Sequence, residues 1–302
     1  MREGDARALL PAMMEARDRF MELVDELRPE LHRYCARMTG SVFDGEDVVQ
    51  ETLAKAYYAL GQMMEPPNLR PWLFRIAHNT AMEVLKRAER KYVDLVENVP
   101  DRAPDDERAV DPELVEAALA VFVELPPVQR SAIILKDVLG HSLDEIAATM
   151  GTTVGAVKAA LSRARANVAR AARPVSARVE RMMTREEETV LRRYVNLFNE
   201  RDWVGLRALL GEESRLEIVS RIQRRALDAG YYDRYAQITT TEDLRAELGV
   251  VDGIPAIAVF RSADDAAPAY FMVLDVERET VAFIRDFRYI PYIANEATFS
   301  RR

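Results

Sequence analysis

The stretch HSLDEIAATMGTTVGAVKAALSRARANVAR, residues 141–170, constrains this chain more than any other. Ser142 stands three residues before Glu145, a capping box that starts a helix ahead of Ile146 and Ala147. Gly151 supplies the left-handed residue that ends this helix, and Thr152 or Thr153 caps the next one. Ala147, Gly151 and Val157 place a small residue where helices touch, a glycine in the turn and a branched side chain underneath, as a helix-turn-helix requires. Along the second helix Val154, Val157, Leu161, Ala164 and Val168 form one apolar stripe. Lys158 and Arg165 then flank one side of the exposed face and Arg163 and Arg170 the other, with Gly155, Ala159, Ser162 and Ala166 between them. Small residues between two cationic rails suit a DNA major groove. An ordinary solvated helix rich in alanine and arginine has the same composition, so the neighbouring segments must decide.

The net charge of −8 argues against nucleic acid only if it is spread evenly, and it is not. Between Asp94 and Glu116 the acids Asp94, Glu97, Asp101, Asp105, Asp106, Glu107, Asp111, Glu113 and Glu116 face only Arg102 and Arg108. With Pro100, Pro104 and Pro112 this reads as an extended acidic linker. Residues 70–91, by contrast, hold Arg70, Arg75, Lys86, Arg87, Arg90 and Lys91 against Glu83 and Glu89. The single cysteine, Cys35, excludes an internal disulfide and a cysteine metal cluster, and reads as a small buried apolar side chain. No run approaches the roughly 20 apolar residues of a membrane span, and the N-terminus is too charged for a secretory signal. A soluble cytoplasmic protein is expected, without membrane association, metal or cofactor.

Apolar residues at helical spacing, among them Phe20, Leu23, Val24, Leu27, Leu31, Tyr34 and Met38, predict a helix closed by Gly40. A second helix is expected from about Asp44, read as its cap, to Gly61, and a third over PWLFRIAHNTAMEVLKRAERK. Beyond the linker, PELVEAALAVFVEL and PVQRSAIILKDVLG read as helices, the latter opened by proline and closed at Gly140. After a helix expected over about Arg185 to Leu210 come the alternating runs RLEIV, IPAIAVF, AYFMVLDV and TVAFIRDFRYI, which are strands of a separate α+β domain.

Taken whole, LPPVQRSAIILKDVLGHSLDEIAATMGTTVGAVKAALSRAR resembles region 4 of bacterial sigma factors of the extracytoplasmic-function group. FDGEDVVQETLAKAYYAL resembles region 2.2, and PWLFRIAHNTAMEVLKRAERK regions 2.3 and 2.4. The resemblance covers about Arg28 to Arg173 and implies a promoter-specificity subunit, not an enzyme, whose partners are core RNA polymerase, through its β′ clamp helices and β flap, and promoter DNA. It places Asp44, Asp47, Gln50 and Glu51 on the polymerase, at a spacing that puts polar groups on one helix face. It places Trp72, Arg75, His78, Asn79, Lys86, Arg87 and Arg90 at the −10 element, where Asn79 matches an asparagine that takes an extruded base. Thr153, Lys158, Ser162, Arg163 and Arg165 fall at the −35 element. Ala159 and Ala160 stand near where the family commonly has arginine, and the loop before Trp72, GQMMEPPNLR, is proline-rich rather than polar.

YVNLFNERDWVGLRALL and the strands after it resemble the SnoaL-like cone-shaped α+β folds. The expected architecture is therefore multidomain: a region 2 helical bundle (1–93), an acidic linker (94–111), a region 4 helix-turn-helix domain (112–173), a second linker (174–184) and a SnoaL-like α+β domain (185–302). Tyr194, Phe198, Trp203, Tyr270, Phe283 and Phe287 are candidates for lining a pocket there, with Asp286 or Arg285 as polar groups. His32, His78 and His141 all precede this domain, so acid–base chemistry would need a carboxylate or tyrosine. A regulatory domain that contacts the sigma regions or polymerase is favoured over a SnoaL-like enzyme carrying a DNA-binding arm. An ordinary helix-turn-helix repressor leaves the region 2 segments unexplained.

Overall fold

The computed structural model describes residues 22, 24–62, 68–93, 122–171, 183–219, 224–225, 230–262 and 264–302. The acidic linker, residues 174–182 of the second linker and the proline-rich loop at 63–67 lie outside them, as do the side chains of Arg90, Lys91 and Arg170. The chain divides into two compact units, Met1–Val175 and Ser176–Arg302. No helix among the described residues is long and apolar enough to cross a membrane.

In the first unit α1 covers residues 24–39. It is followed by α2 (Val42–Leu60), α3 (Leu69–Val93), α4 (Pro127–Ile133) with a π-helical turn (Ile134–Val138), α5 (Leu143–Met150) and α6 (Val154–Ala171). The start of α2 differs from expectation: Ser41 is the cap, its Oγ accepting from the Asp44 amide at 3.3 Å. A Cβ at Gly45 would lie 2.6 Å from the Ala36 backbone, so glycine there lets α2 meet α1. Leu31, Tyr34, Met38, Val49, Leu73, Phe74 and Ala77 are fully buried and share one apolar cluster with Ile133, Ile134, Ile146, Val157, Leu161 and Val168. The segments on either side of the expected linker thus close over a common core.

The second unit is α+β, as the resemblance implied. Helices α7 (Arg185–Asn199), α8 (Trp203–Ala208), α9 (Tyr231–Ile238) and α10 (Pro291–Glu296) accompany strands β1 (Leu210–Ile218), β2 (Arg224–Arg225), β3 (Arg245–Val251), β4 (Ile254–Phe260), β5 (Tyr270–Glu277), β6 (Thr280–Asp286) and β7 (Phe299–Arg301). The sheet runs β2-β1-β6-β5-β4-β3-β7. The β1–β6 pair is parallel and the other neighbours are antiparallel. The helix expected over Arg185 to Leu210 is two helices. Arg201 takes a left-handed φ of 62°, and the Asp202 side chain restarts the helix by accepting from the Gly205 amide at 2.8 Å.

Candidate nucleic-acid and polymerase interface

The helix-turn-helix forms as its residues dictate. Ser142 and Glu145 make both halves of the capping box, with Oγ accepting from the Glu145 amide at 3.2 Å and Oε2 from the Ser142 amide at 2.8 Å. The bond from the Ser142 amide leads the effects that hold the Glu145 carboxyl below its ordinary pKa. Gly151 ends α5 at a φ of 62°, and Thr153 caps α6 by accepting from the Ala156 amide at 3.2 Å. Val157, Leu161, Ala164 and Val168 are buried beneath α6.

On its outer face Thr153, Lys158, Ala159 and Arg163 are exposed and Ser162 is half-buried. Two residues fall elsewhere. Ala160 is 2% exposed and belongs to the core, so only Ala159 marks a missing cation on the outer face. Arg165 leans back onto Asp137, with Nε–Oδ2 3.1 Å and Nη2–Oδ1 2.8 Å.

Of the candidates on α3, Arg75, Asn79, Lys86 and Arg87 are exposed and Trp72 is half-buried against the core. His78 is not available to stack on a base in this conformation, since it is 7% exposed. Its Nδ1 lies 2.9 Å from the Tyr34 hydroxyl and 3.0 Å from Ser131 Oγ, and those two oxygens are 2.8 Å apart. Burial pushes the imidazole pKa down to about 4 and the Tyr34 phenol up. A signal was present: His78 lies on the buried face that carries Ala77 beside it and Phe74 and Ala81 one turn to either side.

Around this triangle, residues that sequence reasoning missed join α1 to the later helices. The Arg130 guanidinium donates to the Met38 carbonyl at the end of α1 and to the Leu125 carbonyl at 2.9 Å. Glu30 accepts from Arg70 at 2.5 Å and lies 3.3 Å from His141 Nε2. Burial raises the Glu30 pKa, but those two neighbours more than offset it and leave it lowered.

On α2, Asp44 and Asp47 are exposed while Gln50 and Glu51 are half-buried. Glu51 pairs with Lys55 at 2.9 Å and with Arg87 at 3.8 Å. Glu46, among these acids in sequence, is fully buried and paired with Arg28. Asp44, Asp47, Glu51 and Ala54 fall on one stripe that continues to Tyr58, which is 73% exposed. An aromatic that exposed on a stable helix is the mark by which Tyr58 could have been added to this face.

In the second unit Tyr194, Phe198, Trp203 and Tyr270 converge in one cluster with Tyr231, Tyr232 and Tyr235. Phe283 and Phe287 do not join them. Alternation along β6 turns Ile284 and Asp286 toward this cluster and Phe283, Arg285 and Phe287 to the opposite face, where the Arg285 guanidinium lies over the Phe287 ring. At the centre Asp286 is fully buried, and its Oδ2 accepts from Tyr231 at 2.9 Å, Tyr235 at 3.0 Å and Arg288 Nε at 2.8 Å. Its Oδ1 accepts from the Arg288 amide at 2.9 Å. Burial alone would lower the Arg288 pKa, but Asp286 more than reverses this and holds the guanidinium charged. Among the described residues no group of three or more His, Cys, Asp or Glu is placed to hold a metal ion.

Comparison with known proteins gives two family matches: Sigma-70 region 2 over residues 23–91 and Sigma-70, region 4 over residues 116–168. The extracytoplasmic-function RNA polymerase sigma factor SigG of Mycobacterium tuberculosis is 30% identical over 314 residues, covering 90% of this chain and 82% of that protein. SigE of Mycolicibacterium smegmatis is 31% identical over 149 residues, covering 48% of this chain and 58% of that protein. Among solved structures, the sigma factor RpoE of Bartonella quintana, in complex with the anti-sigma factor NepR, is 26% identical, covers 52% of this chain and 98% of that one, and has a TM-score of 0.40. SigJ of Mycobacterium tuberculosis is 19% identical, covers 90% and 97%, and has a TM-score of 0.36.

Proposed function

The chain belongs to the extracytoplasmic-function RNA polymerase sigma factors, and we propose from that premise how its two units divide the work. It directs promoter-specific initiation of transcription. The observation that carries this is a relative of that family aligned along 90% of the chain. Purified protein added to core polymerase is expected to give specific transcripts from a genomic promoter library. Silence across the library would overturn the reading.

In this proposal residues 1–93 and 112–173 are the region 2 and region 4 domains. Asp44, Asp47, Gln50, Glu51 and Tyr58 dock on the polymerase clamp. Trp72, Arg75, Asn79, Lys86, Arg87 and Arg90 handle the −10 element, and Thr153, Lys158, Ser162 and Arg163 the −35 element. Elements so numbered lie about 25 base pairs apart, or about 85 Å of duplex at 3.4 Å per pair. A compact body of roughly 100–175 residues is only about 35–40 Å across. A closed first unit therefore cannot reach both elements at once, so its halves separate when the promoter is read. His78 then leaves Ser131 and comes free beside Asn79.

The second unit acts as a regulator of the first or of polymerase rather than as an enzyme. It contains no histidine, and its fully buried Asp286 carboxylate already accepts from two tyrosines and an arginine, which leaves that group poorly placed to take a proton from a substrate. A chain cut after Arg173 should still bind core polymerase but give an altered transcript yield. An unchanged yield would refute the regulatory role.

A further inference from the structure

By sequence Arg165 stands two turns after Lys158, on the same edge of α6, where both would meet phosphates. The fold treats them differently. Lys158 is exposed, whereas the Arg165 guanidinium makes a two-pronged bond to Asp137, and the two side chains are 28% and 16% exposed. A planar fork matched to a carboxylate fixes direction as well as distance, which a lysine cannot do.

Asp137 lies in the π-helical turn after α4, where the Leu139 amide donates to the Ile134 carbonyl, five residues back, at 3.0 Å. Such a wide turn re-aims the side chains it carries. Two residues beyond Arg165, Asn167 Nδ2 donates to Gln129 Oε1 at 2.8 Å, near the start of α4. The two flanks of the apolar stripe of α6 are thus clasped, one to the start of α4 and the other to its π-helical turn, while the stripe itself holds the helix from beneath. A phosphate brought to Arg165 would also meet the Asp137 carboxylate, a like charge.

We propose that Arg165 is a positioning residue: with Asp137 it sets the rotation of α6, so that Thr153, Lys158, Ser162 and Arg163 face the DNA, and it does not itself neutralise a phosphate. The proposal rests on the reading of α6 as the −35 element's reader. Full-length variants with core polymerase are assayed for −35-dependent transcription and for promoter affinity against salt. Asp137→Asn and Arg165→Gln should each lower −35-dependent output about tenfold, with the double variant no worse, because they break one interaction. Arg165→Lys keeps the charge but loses the fork, and should fall as far as Arg165→Gln. Exchange of the two residues, Asp137→Arg with Arg165→Asp, should regain much of the output. The slope of log affinity against log salt should be unchanged in Arg165→Gln, yet shallower by about one in Lys158→Gln. A harmless Asp137→Asn, or a slope shallower by about one in Arg165→Gln, would make Arg165 a phosphate contact and overturn the proposal. No effect of Lys158→Gln on slope or output would refute the −35 reading itself, and the proposal with it.

Discussion

Each unit buries a polar cluster in its apolar interior, but the two clusters differ in charge and therefore in what breaking them costs. In the first unit Tyr34, His78 and Ser131 form a triangle of neutral groups joined at 2.8–3.0 Å. In the second, Asp286 and Arg288 form an ion pair whose side chains are 0% and 6% exposed. A neutral hydrogen bond contributes about 1 kcal/mol net, because water offers a substitute once the groups separate. An ion pair in a dry interior leaves a bare charge when one partner goes. The first cluster suits a junction that opens and the second a joint that stays shut.

The largest test of this contrast is Asp286→Ala. It strands the Arg288 guanidinium among tyrosine rings, Tyr235 the nearest at 4.0 Å, and should cost the second unit about 3–5 kcal/mol. Denaturant unfolding followed at Trp203, in a Trp72→Phe background, reads this directly. A loss under about 1 kcal/mol would mean that water reaches the site and that the clusters do not differ in kind.

Acid separates them next. The His78 pKa of about 4 in the fold lies below the ordinary 6.5, so the stability held in the neutral ring is full above pH 6.5 and is lost as pH falls toward 4. At pH 5 the first unit should have lost about 2 kcal/mol through this residue. Comparison with His78→Asn isolates the effect from His32 and His141. Equal pH dependence in the two proteins would show that His78 carries no such stability.

Tyr34→Phe removes one hydroxyl and leaves His78 bonded to Ser131, a cost of about 1 kcal/mol. If polymerase takes only the open form, this less stable chain should bind core polymerase up to about fivefold more tightly. Weaker or equal binding would show that the closed arrangement is compatible with docking.

What was legible in the sequence was chemistry that acts over one or two turns. Ser142, Glu145, Gly151 and Thr153 declared the helix-turn-helix because caps depend on neighbours three or four residues away. The same logic went astray by one choice at α2, where Ser41 and Asp44 were both competent caps and only the path out of α1 decides for Ser41. Beyond that range the sequence is silent. Phe283 and Phe287 alternate with Ile284 and Asp286, and either set could have faced the cluster until Met272 and Leu274 paired with β6. Ser131 meets Tyr34 across 97 positions, and Arg165 meets Asp137 across 28. Nothing local records such partners, which is why spacing alone puts Arg165 on a rail of cations although it is paired with Asp137.

The smallest effect on stability belongs to Lys158, and it sharpens the contrast between groups that hold the fold and groups that face outward. Lys158→Glu changes an exposed side chain for which no ion pair is present among the described residues, so the unfolding free energy should move by less than about 0.5 kcal/mol. Polymerase binding should be unaltered, because α2 and its acids lie elsewhere in the chain. Output from a promoter that depends on its −35 element should fall steeply, since the new carboxylate repels phosphate where the lysine drew it. Output from a promoter lacking that element should not change. An equal fall on both would mean that Lys158 serves polymerase rather than DNA, and the exposed face of α6 would then need a different partner.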